Sequence, residues 1–540
     1  MKHKLTITTA TSLLLSSFFA ISLLAQQQTK PNILFIAVDD LKPVLGCYGD
    51  TQVKTPNIDR LASQGTVFMS NYVQQAVCGP TRASLMTGKR PDYTQVWDLK
   101  TRMRDINPTI LSLPQYLIQQ GYSTQGIGKV YDSRCVDKDF DKPSWSVPYY
   151  KVSNKYYGVY GEPAEGRYQL PETKALAEKY IQEALASGKT KEEANDYVQT
   201  KIKPSVENAD VPDYAYTDGA NVLKAIDILK QLKNSTQPFF LAVGLSKPHL
   251  PFVAPKKYWD LYKREEMPLA PFQEETKNAV SVAYHNAGEL RGYTDIPPLV
   301  SFTDQKTYGV TLPADKQREL IHGYYAATSY MDANVGKLMQ ALDSLGLSTN
   351  TIIVLWGDHG WHLGDHNLWC KHTNFEQATR APLIIAAPGV APSVTRSLTE
   401  HIDIFPTLCD LAGVEIPQTL DGKSLVPLMK NPKQNVKEFS VSQYPRSSAT
   451  AENERLGYAD PNAMGYSIRT SQYRYTMWMG NGFRSTAPFD KKLVLGIELY
   501  DYKNDPLETV NVAAEKKYAA VASELHTKLL TFFKSQVTKK

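Results

Sequence analysis

A cysteine, a proline and an arginine at two-residue spacing form the segment of this chain best suited to chemistry. From Cys78 to Gly88 it reads C-x-P-x-R-x4-T-G. Pro80 cannot continue a strand and presets φ, which predicts a turn at Cys78 and a short helix over 81–88. A nucleophile at a helix N-terminus lies where the dipole favours anions, and the guanidinium of Arg82 can turn back toward it. The segment predicts attack on an oxyanion such as sulfate or phosphate, with a turn around a buried free thiol as the alternative.

Charged and imidazole side chains follow several predicted strands at the point where each strand ends. They are Asp39 and Asp40 after the apolar run 31–38, Lys129 after 126–128, His249 after 239–244, and Asp358 and His359 after 351–356. Unbroken apolar runs of this length are typical of buried parallel strands. Because ligands bind at the carboxyl ends of strands in open α/β sheets, we expect one active site at the edge of a doubly wound α/β core. For Asp39 and Asp40 alone, a solvated acidic loop is the alternative.

The carboxylates among these groups predict a metal ion. Asp39, Asp40 and Asp358 are hard oxygen donors, which favour Ca²⁺ or Mg²⁺ over zinc, whereas the imidazole of His359 suits softer metals. Carboxylates placed close together also repel one another unless a cation lies between them. If these side chains converge, one divalent ion follows.

Composition places the chain among ordinary globular proteins. It has 540 residues, 42% hydrophobic and 21% charged, with a formal net charge of +5. So small a charge, without a basic run, does not predict nucleic-acid binding. Residues 1–25 have the basic start and short apolar core of a secretory signal, so we expect an exported protein without a stable membrane anchor. The five cysteines form no C-x-x-C pair, and we expect Cys47 and Cys409 to be buried free thiols.

The patterning predicts a large catalytic part and a smaller C-terminal one. We assign 26–432 to the catalytic domain and 433–540 to a subdomain of antiparallel strands and a helix. The expected C-terminal strands are 465–470, 473–478 and 497–501, with an amphipathic helix after 513. Within the catalytic domain, 164–208 is rich in Ala, Glu and Lys at near-helical period. This favours a solvated helical insertion over a rim of the active site.

Over most of its length the chain resembles the type I, formylglycine-dependent sulfatases, most closely the iduronate-2-sulfatase branch. The resemblance is carried by 32–40, 46–50, 78–88, 240–252, 358–361 with Gly364 and Lys371, 442–446 and 465–470. It implies an alkaline-phosphatase-like fold of the α/β class. Such a fold has a large central mixed sheet, mostly parallel and flanked by helices, with a smaller C-terminal α+β subdomain.

The resemblance also implies the cofactors. Cys78 would be oxidised by a maturation enzyme to formylglycine (3-oxoalanine), whose hydrate is the nucleophile. One Ca²⁺ would lie among the ligands Asp39, Asp40, Asp358, His359 and the modified Cys78. The Asp-His pair at 358–359, in place of the Asp-Asn of most sulfatases, is a feature of the iduronate-type branch.

In the implied reaction, the formylglycine hydrate attacks sulfur in line while Arg82 helps to hold it and Ca²⁺ polarises the sulfate oxygens. Lys129, His249 and Lys371 supply positive charge and donors to those oxygens. His249 or Lys371 protonates the leaving alcohol. The second hydroxyl of the hydrate then expels sulfate and regenerates the aldehyde.

Two positions depart from the family pattern. Family members usually have a histidine two or three residues after the lysine that corresponds to Lys129, and here Asp132 stands at that place. Ser246 stands before 247–249, where the iduronate branch often has a histidine. An ionised carboxylate cannot donate to sulfate, so we expect Asp132 to bind a sugar hydroxyl or a cation instead. Trp361 and His362 are candidates for sugar contact, with a core role for Trp361 as the alternative.

These observations predict an exported sulfatase, periplasmic or secreted, that cleaves sulfate esters of a uronate-containing polysaccharide or its oligosaccharides. Glycosaminoglycans and the algal polysaccharide ulvan are the candidate substrates. One alternative is a phosphatase or phosphonate monoester hydrolase of the same superfamily. The other is an inactive glycan-binding homologue, against which the intact Cys78, Arg82 and acidic residues argue.

Overall fold

The computed structural model describes residues 30–285, 287–297, 312–447 and 462–538. The expected signal sequence, 1–25, lies outside the described residues. No helix in these ranges combines the length and apolar character needed to cross a bilayer. The five cysteines are free thiols, and Cys47 is half-buried rather than buried.

The strands are β1 (Asn32–Val38), β2 (Thr66–Tyr72), β3 (Ser123–Gly128), β4 (Val206–Glu207), β5 (Phe239–Leu245), β6 (Phe252–Val253), β7 (Thr351–Gly357), β8 (His362–Leu363), β9 (Trp369–Cys370), β10 (Leu383–Ala386), β11 (Ser393–Glu400), β12 (Ser440–Ser447), β13 (Asn462–Arg469), β14 (Tyr473–Met479) and β15 (Val494–Asp501). The helices are α1 (Pro56–Ala62), α2 (Cys78–Thr87), α3 (Pro91–Thr94), α4 (Met103–Ile106), α5 (Leu113–Gln119), α6 (Pro171–Ala186), α7 (Lys191–Lys201), α8 (Thr217–Leu232), α9 (Lys256–Trp259), α10 (Gly288–Arg291), α11 (Ala314–Ser344), α12 (Glu376–Thr379), α13 (Ile404–Leu411), α14 (Val426–Lys430) and α15 (Ala519–Val537).

A seven-stranded mixed sheet forms the centre of the fold, in the order β11-β2-β10-β7-β1-β5-β3. Strands β7, β1, β5 and β3 run parallel, and β10 is antiparallel to both its neighbours. Alternate residues of β1 belong to hydrophobic cores on opposite faces, Phe35 on one and Ile36 on the other. Because both faces are covered, the strands are apolar throughout, as the sequence indicated. The predicted α/β fold with a mostly parallel central sheet is confirmed.

The parallel register brings the ends of four strands to one edge. Val38, the last residue of β1, is aligned with Gly357 of β7 and Leu245 of β5, and Gly244 is aligned with Gly128 of β3. The segments that follow these strands therefore start at the same height. Gly128 has a φ of +77°, and a Cβ at Gly244 would lie 2.1 Å from the carbonyl carbon of Lys129. Glycines at both positions let the chain after β3 cross close to β5.

The C-terminal part contains a second sheet, antiparallel, in the order β12-β13-β14-β15. Helix α15 packs on it through Leu529 and Phe533, which share a core with Tyr466 and Met477. Strands β13 and β15 begin three residues earlier than expected, β14 ends one residue later and β13 ends one residue earlier, whereas β12 lacked a strand prediction. The proposed boundary at 432/433 falls between α14 and β12.

Buried ion pairs join the C-terminal sheet to helix α12 of the catalytic part. Arg474 on β14 is 1% exposed and donates to Glu376 of α12 and to Glu508, at 2.5 and 2.9 Å. Arg469 on β13 also donates to Glu376, at 3.0 Å. A buried carboxylate is strongly destabilising without its partner, so these pairs fix the C-terminal sheet against the catalytic part.

We expect Arg474→Met to destabilise the protein by about 3–5 kcal/mol, because it removes the cationic partner of the buried Glu508 and one of the two partners of Glu376. Thermal unfolding measures the loss. Lys528→Met is the matched control, since its pair with Glu438 is mostly exposed and such pairs are worth about 0–1 kcal/mol. Equal melting temperatures for the two variants would contradict the role of Arg474.

A second prediction concerns Glu498, a carboxyl buried in the C-terminal sheet. It accepts hydrogen bonds from Trp478 and Tyr500, at 2.8 and 2.7 Å, but burial raises its pKa from 4.5 to about 7. The folded state therefore binds a proton that the unfolded state releases between these values. Stability contributed by this proton is complete below pH 4.5 and lost as the pH rises to about 7, by on the order of 3 kcal/mol.

Glu498→Gln keeps the shape and removes the ionisation. We expect the variant to melt at a higher temperature than the native protein at pH 8, with the difference shrinking toward pH 5. Glu515→Gln, at a more exposed carboxylate, is the control and should leave the pH profile unchanged. A constant difference between Glu498→Gln and the native protein at all pH values would refute the assignment.

Candidate active site

Cys78 is the first residue of helix α2, at the sheet edge where the parallel strands end. The helix begins at Cys78 itself, three residues earlier than expected. Pro80 is compatible with this start, because the first N–H groups of a helix have no partner within it. Cys78 is 1% exposed. Burial and the negative charge of Asp39 raise the pKa of the Cys78 thiol well above its ordinary range, so the unmodified thiol is a weak nucleophile here.

The predicted metal ligands lie together around Cys78. Its Sγ is 3.8 Å from Oδ1 of Asp40 and 3.4 Å from Nε2 of His359. The Nε2 of His359 is 3.3 Å from Asp40 and 3.6 Å from Asp358. One ligand atom from each of these four residues lies within 4.8 Å of the others, and so do those of a second set in which Asp39 and His249 join Asp40 and Cys78.

This donor set fits a hard divalent cation. The three aspartates are fully buried, and oxygen donors of that number are those of Ca²⁺. Nδ1 of His359 faces the carbonyl of Gly360 at 2.9 Å, so Nδ1 carries the proton and Nε2 presents a lone pair to the cluster. The residues present therefore fit a divalent cation of the hard, oxygen-binding class, to which the implied Ca²⁺ belongs.

Arg82 donates hydrogen bonds to two of the aspartates, Asp39 and Asp358. Its Nη2 donates to Asp39 at 2.9 Å and its Nε to Asp358 at 3.0 Å, while Nη1 donates to the carbonyls of Lys129 and Val130. The side chain is fully buried. Of five guanidinium N–H groups, four are used, which leaves one for another acceptor. Arg82 thus contacts the aspartates rather than pointing mainly toward position 78.

The pKa values of Asp39 and Asp358 are shifted in opposite directions. Burial opposes ionisation of Asp39, but Lys129, His249 and Arg82 outweigh it and hold its pKa well below the ordinary value. Burial raises the pKa of Asp358 above its ordinary value. The position next to Lys129 is therefore the more anionic of the two.

The three remaining predicted residues face the same cluster from the cavity side. Lys129 binds Asp39 at 2.5 Å, and Lys371 binds Asp40 at 3.0 Å. Burial alone would lower the pKa of Lys371, but Asp40 and the other adjacent carboxylate, Glu289, raise it well above its ordinary value. The side chain of Lys371 is 2% exposed and that of His249 23% exposed.

Glu289 is a member of this cluster that sequence reasoning missed. It lies on the short helix α10, which carries no motif and no apolar periodicity, and it accepts from Lys371 at 2.9 Å and from His249 Nε2 at 3.1 Å. The other ring nitrogen of His249 faces the carbonyl of Leu250. Both ring nitrogens of His249 therefore face acceptors.

Three other expected positions can be compared with the structure. Asp132 is 3% exposed and binds a cation, Arg134, through two hydrogen bonds of 2.9 and 2.8 Å, which is one of its two expected roles. Trp361 is fully buried and packs beneath Lys371 at 4.8 Å, which agrees with its core alternative. The expectation for His362 needs correction, because its side chain is fully buried and contacts Thr373.

A cavity of about 740 Å³ opens above the cluster and contains Cys78, Lys129, His249, Glu289 and Lys371 in its wall. Its volume lies within the range of small-molecule sites. Ser246, at the position of the second family departure, also lines it. The cavity gives a substrate access to the otherwise buried centre.

Known proteins resemble this chain over most of its length. The sulfatase family profile matches residues 31–414, and the profile of the C-terminal part of N-sulphoglucosamine sulphohydrolase matches residues 364–535. Human iduronate 2-sulfatase is 35% identical to the chain over 89% of this chain and 90% of its own length.

Solved structures share the fold at lower identity. One, described as a complex with its substrate D-glucosamine-2-N,6-O-disulfate, superimposes with a TM-score of 0.68 at 22% identity and covers 95% of this chain and 99% of its own. The phosphonate monoester hydrolase of Agrobacterium radiobacter reaches 0.65 at 24% identity, covering 94% and 96%. These structures show the fold alone, whereas the family profile and the human relative show that the chain belongs to the sulfatase family of sulfuric ester hydrolases, on the branch that resembles the iduronate 2-sulfatases.

Proposed function

We propose that this chain is an exported sulfatase that cleaves sulfate esters of a uronate-containing polysaccharide, or of its oligosaccharides, through formylglycine at position 78. The observation that supports it best is the position of Cys78. Its Sγ lies within 4 Å of Asp40 and His359, in the wall of a cavity that Lys129 and Lys371 also line. Nucleophile, metal ligands and donors for an oxyanion then belong to one centre.

Asp39, Asp40, Asp358 and His359, with the modified residue 78, would hold the calcium ion. Bound there, calcium would act as a Lewis acid toward the sulfate oxygens, and the hydrated aldehyde at 78 would supply the attacking oxygen. Arg82 keeps Asp39 and Asp358 in place, so we assign it a positioning role. Its one remaining N–H group is left to hold the hydrate at residue 78.

The basic side chains of the cavity have two further roles in the proposed reaction, stabilisation of the transition state and protonation of the leaving group. Lys129 and Lys371 present ammonium groups to the sulfuryl oxygens, where fixed positive charge stabilises the transition state. Lys371 is held between two carboxylates and keeps its proton. His249 is more exposed to the cavity and its Nε2 faces Glu289 at 3.1 Å, so we assign protonation of the leaving alcohol to His249.

The substrate class rests on the relatives. The human relative is named for iduronate 2-sulfate, and a sulfated glycosaminoglycan or ulvan fragment has the corresponding chemistry. The apolar, lysine-flanked start of the sequence supports export to the periplasm or beyond. The same proposal requires a maturation enzyme that oxidises Cys78.

The phosphatase alternative needs a different metal site. A two-zinc phosphatase requires a second set of ligands, and the candidate metal groups among the described residues overlap on Asp40 and Cys78. The likeness to a phosphonate monoester hydrolase shows the fold alone. Sulfate release measured beside phosphate and phosphonate ester hydrolysis separates the two activities.

Maturation of Cys78 is the first test. In protein co-produced with a formylglycine-generating enzyme, we expect the tryptic peptide that spans 61–82 to be lighter than its thiol form and to react with aldehyde reagents. Sulfate release from a 2-sulfated uronyl disaccharide should follow the modified fraction. Active protein whose residue 78 is still a thiol would exclude the proposed nucleophile.

We expect Cys78→Ala to lower sulfate release by roughly 10³-fold or more, because it removes the attacking group. Cys135→Ala is the matched control. Its thiol is also buried, close to Gly79 of helix α2, but it donates to the carbonyl of Asp98 and belongs to neither candidate ligand set among the described residues. Unimpaired turnover by Cys78→Ala, or equal losses in both variants, would defeat the assignment.

Removal of the metal is a separate test. Dialysis against a chelator should reduce turnover and lower the melting temperature, because Asp39, Asp40 and Asp358 then repel one another. Added Ca²⁺ should restore both. Full activity in a demonstrably metal-free sample would contradict the calcium site without bearing on the nucleophile.

A further inference from the structure

The cations of the active-site cavity differ in how they are compensated. Three of them have carboxylate partners: Lys129 binds Asp39, Arg134 binds Asp132, and Lys371 binds Asp40 and Glu289. Two others in the same cavity wall, Arg167 and Lys203, have no hydrogen bond or ion pair to a carboxylate among the described residues. The cavity thus contains two positive charges without a direct carboxylate partner in the described part of the chain, although Glu165 attracts Arg167 and Glu289 attracts Lys203 at longer range.

Both cations lie at the base of the helical insertion. Arg167 precedes α6 and Lys203 follows α7, so the insertion brings the two residues together although 36 positions separate their neighbours Tyr168 and Pro204. Tyr168 is 1% exposed and donates to the carbonyl of Pro204 at 2.9 Å. The base of the insertion therefore rims the active site, whereas the sequence favoured a solvated decoration.

Hydrogen bonds to Thr294 fix the backbone of Lys203. Its backbone N–H donates to Oγ1 of Thr294 at 3.0 Å, and its carbonyl accepts from the Thr294 N–H at 2.9 Å. Its ammonium lies 4.6 Å from the centre of the Tyr293 ring. A cation fixed on an aromatic face, at the wall of a cavity, is pre-organised for an anionic ligand.

We propose that Arg167 and Lys203 form a second anion subsite, which binds a further oxyanion of the glycan while the scissile sulfate lies at residue 78. This inference rests on the proposed sulfatase function and specifies its substrate. The ligand is a sugar-borne oxyanion, either a uronate carboxylate or a second sulfate ester. Because both cations line the cavity that contains Cys78, one oligosaccharide can reach the two positions.

The electrostatics of the pair agree with this role. Burial and the positive charge of Arg167 lower the pKa of Lys203, so the two like charges disfavour each other. An anion between them removes that repulsion and gains charge-assisted hydrogen bonds from both. A substrate with a single anionic group has no use for the subsite, so the pair selects polyanionic glycans.

The test compares a polyanionic substrate with a small one. The probes are an unsaturated 2-sulfated uronyl–N-sulfated glucosamine disaccharide and 4-nitrophenyl sulfate. For Arg167→Gln and for Lys203→Met, we expect the ratio of kcat/KM for the disaccharide to that for the aryl sulfate to fall about tenfold. The loss should come from KM, and the salt dependence of KM should weaken.

Lys201→Met is the matched control, since it removes the same charge two residues away on an exposed side chain outside the cavity. It should leave the substrate ratio unchanged. A ratio unchanged in Arg167→Gln and Lys203→Met, or one lowered equally in Lys201→Met, would overturn the subsite.

Modified disaccharides identify the anion. If the penalty disappears with a carboxyl-reduced uronyl residue, the subsite binds the carboxylate; if it disappears when the glucosamine sulfate is absent, it binds the second sulfate. A penalty that survives in both analogues would overturn the proposal.

Binding separates this inference from the proposed function. In the Cys78→Ala background, calorimetry with the disaccharide should show a Kd about tenfold weaker for Arg167→Gln and Lys203→Met. This holds whether or not the matured enzyme releases sulfate. Failure of sulfate release would refute the function alone, and equal Kd values would refute the subsite alone.

Discussion

The guanidinium of Arg82 is the interaction on which the rest of the site depends. It is fully buried and joins Asp39 after β1, Asp358 after β7 and the backbone after β3. A buried ion costs several kcal/mol to desolvate unless its hydrogen bonds are complete, and here each partner completes the other's. Three strand ends are thereby held against helix α2, whose first residue is Cys78. The position of the proposed nucleophile therefore depends on the buried positive charge of Arg82, whose partners are all at this edge of the sheet.

The same constraint explains why the site lies at this edge of the sheet. Apolar side chains cover both faces of β1, so a charged residue is tolerated only where the strand ends. Parallel neighbours in register end together, and their terminal residues meet without help from long loops. Asp40 has a φ of +58°, a left-handed conformation that aspartate tolerates better than most residues, and its N–H donates to Asp358 at 2.9 Å. The chain turns there, and the carboxylates of neighbouring strands face one another.

The sequence was informative where one physical pattern fixes both structure and chemistry. The apolar runs of β1, β5 and β7 predicted strands, and the polar residues after them predicted the site, because burial on two faces admits few other arrangements. Helix α2 began earlier than expected, since a proline in the first turn costs a helix nothing. Glu289 was not predictable, because α10 is a four-residue helix whose position depends on tertiary contacts. The pairing of Asp132 with Arg134 depends on the loop after β3 and had no periodic signal either.

The proposed reaction and the proposed anion subsite depend on different parts of the structure. Lys129, Lys371 and Arg82 beside Cys78 each have a carboxylate partner, so the charges of this centre are paired within it. Arg167 and Lys203 are positioned by an insertion outside the sheet, on backbone fixed by Tyr168 and Thr294. These two residues have no direct carboxylate partner among the described residues, so replacing them leaves the buried ion pairs of the core in place. The proposed selectivity for an anionic glycan can therefore change while the residues around position 78 are kept.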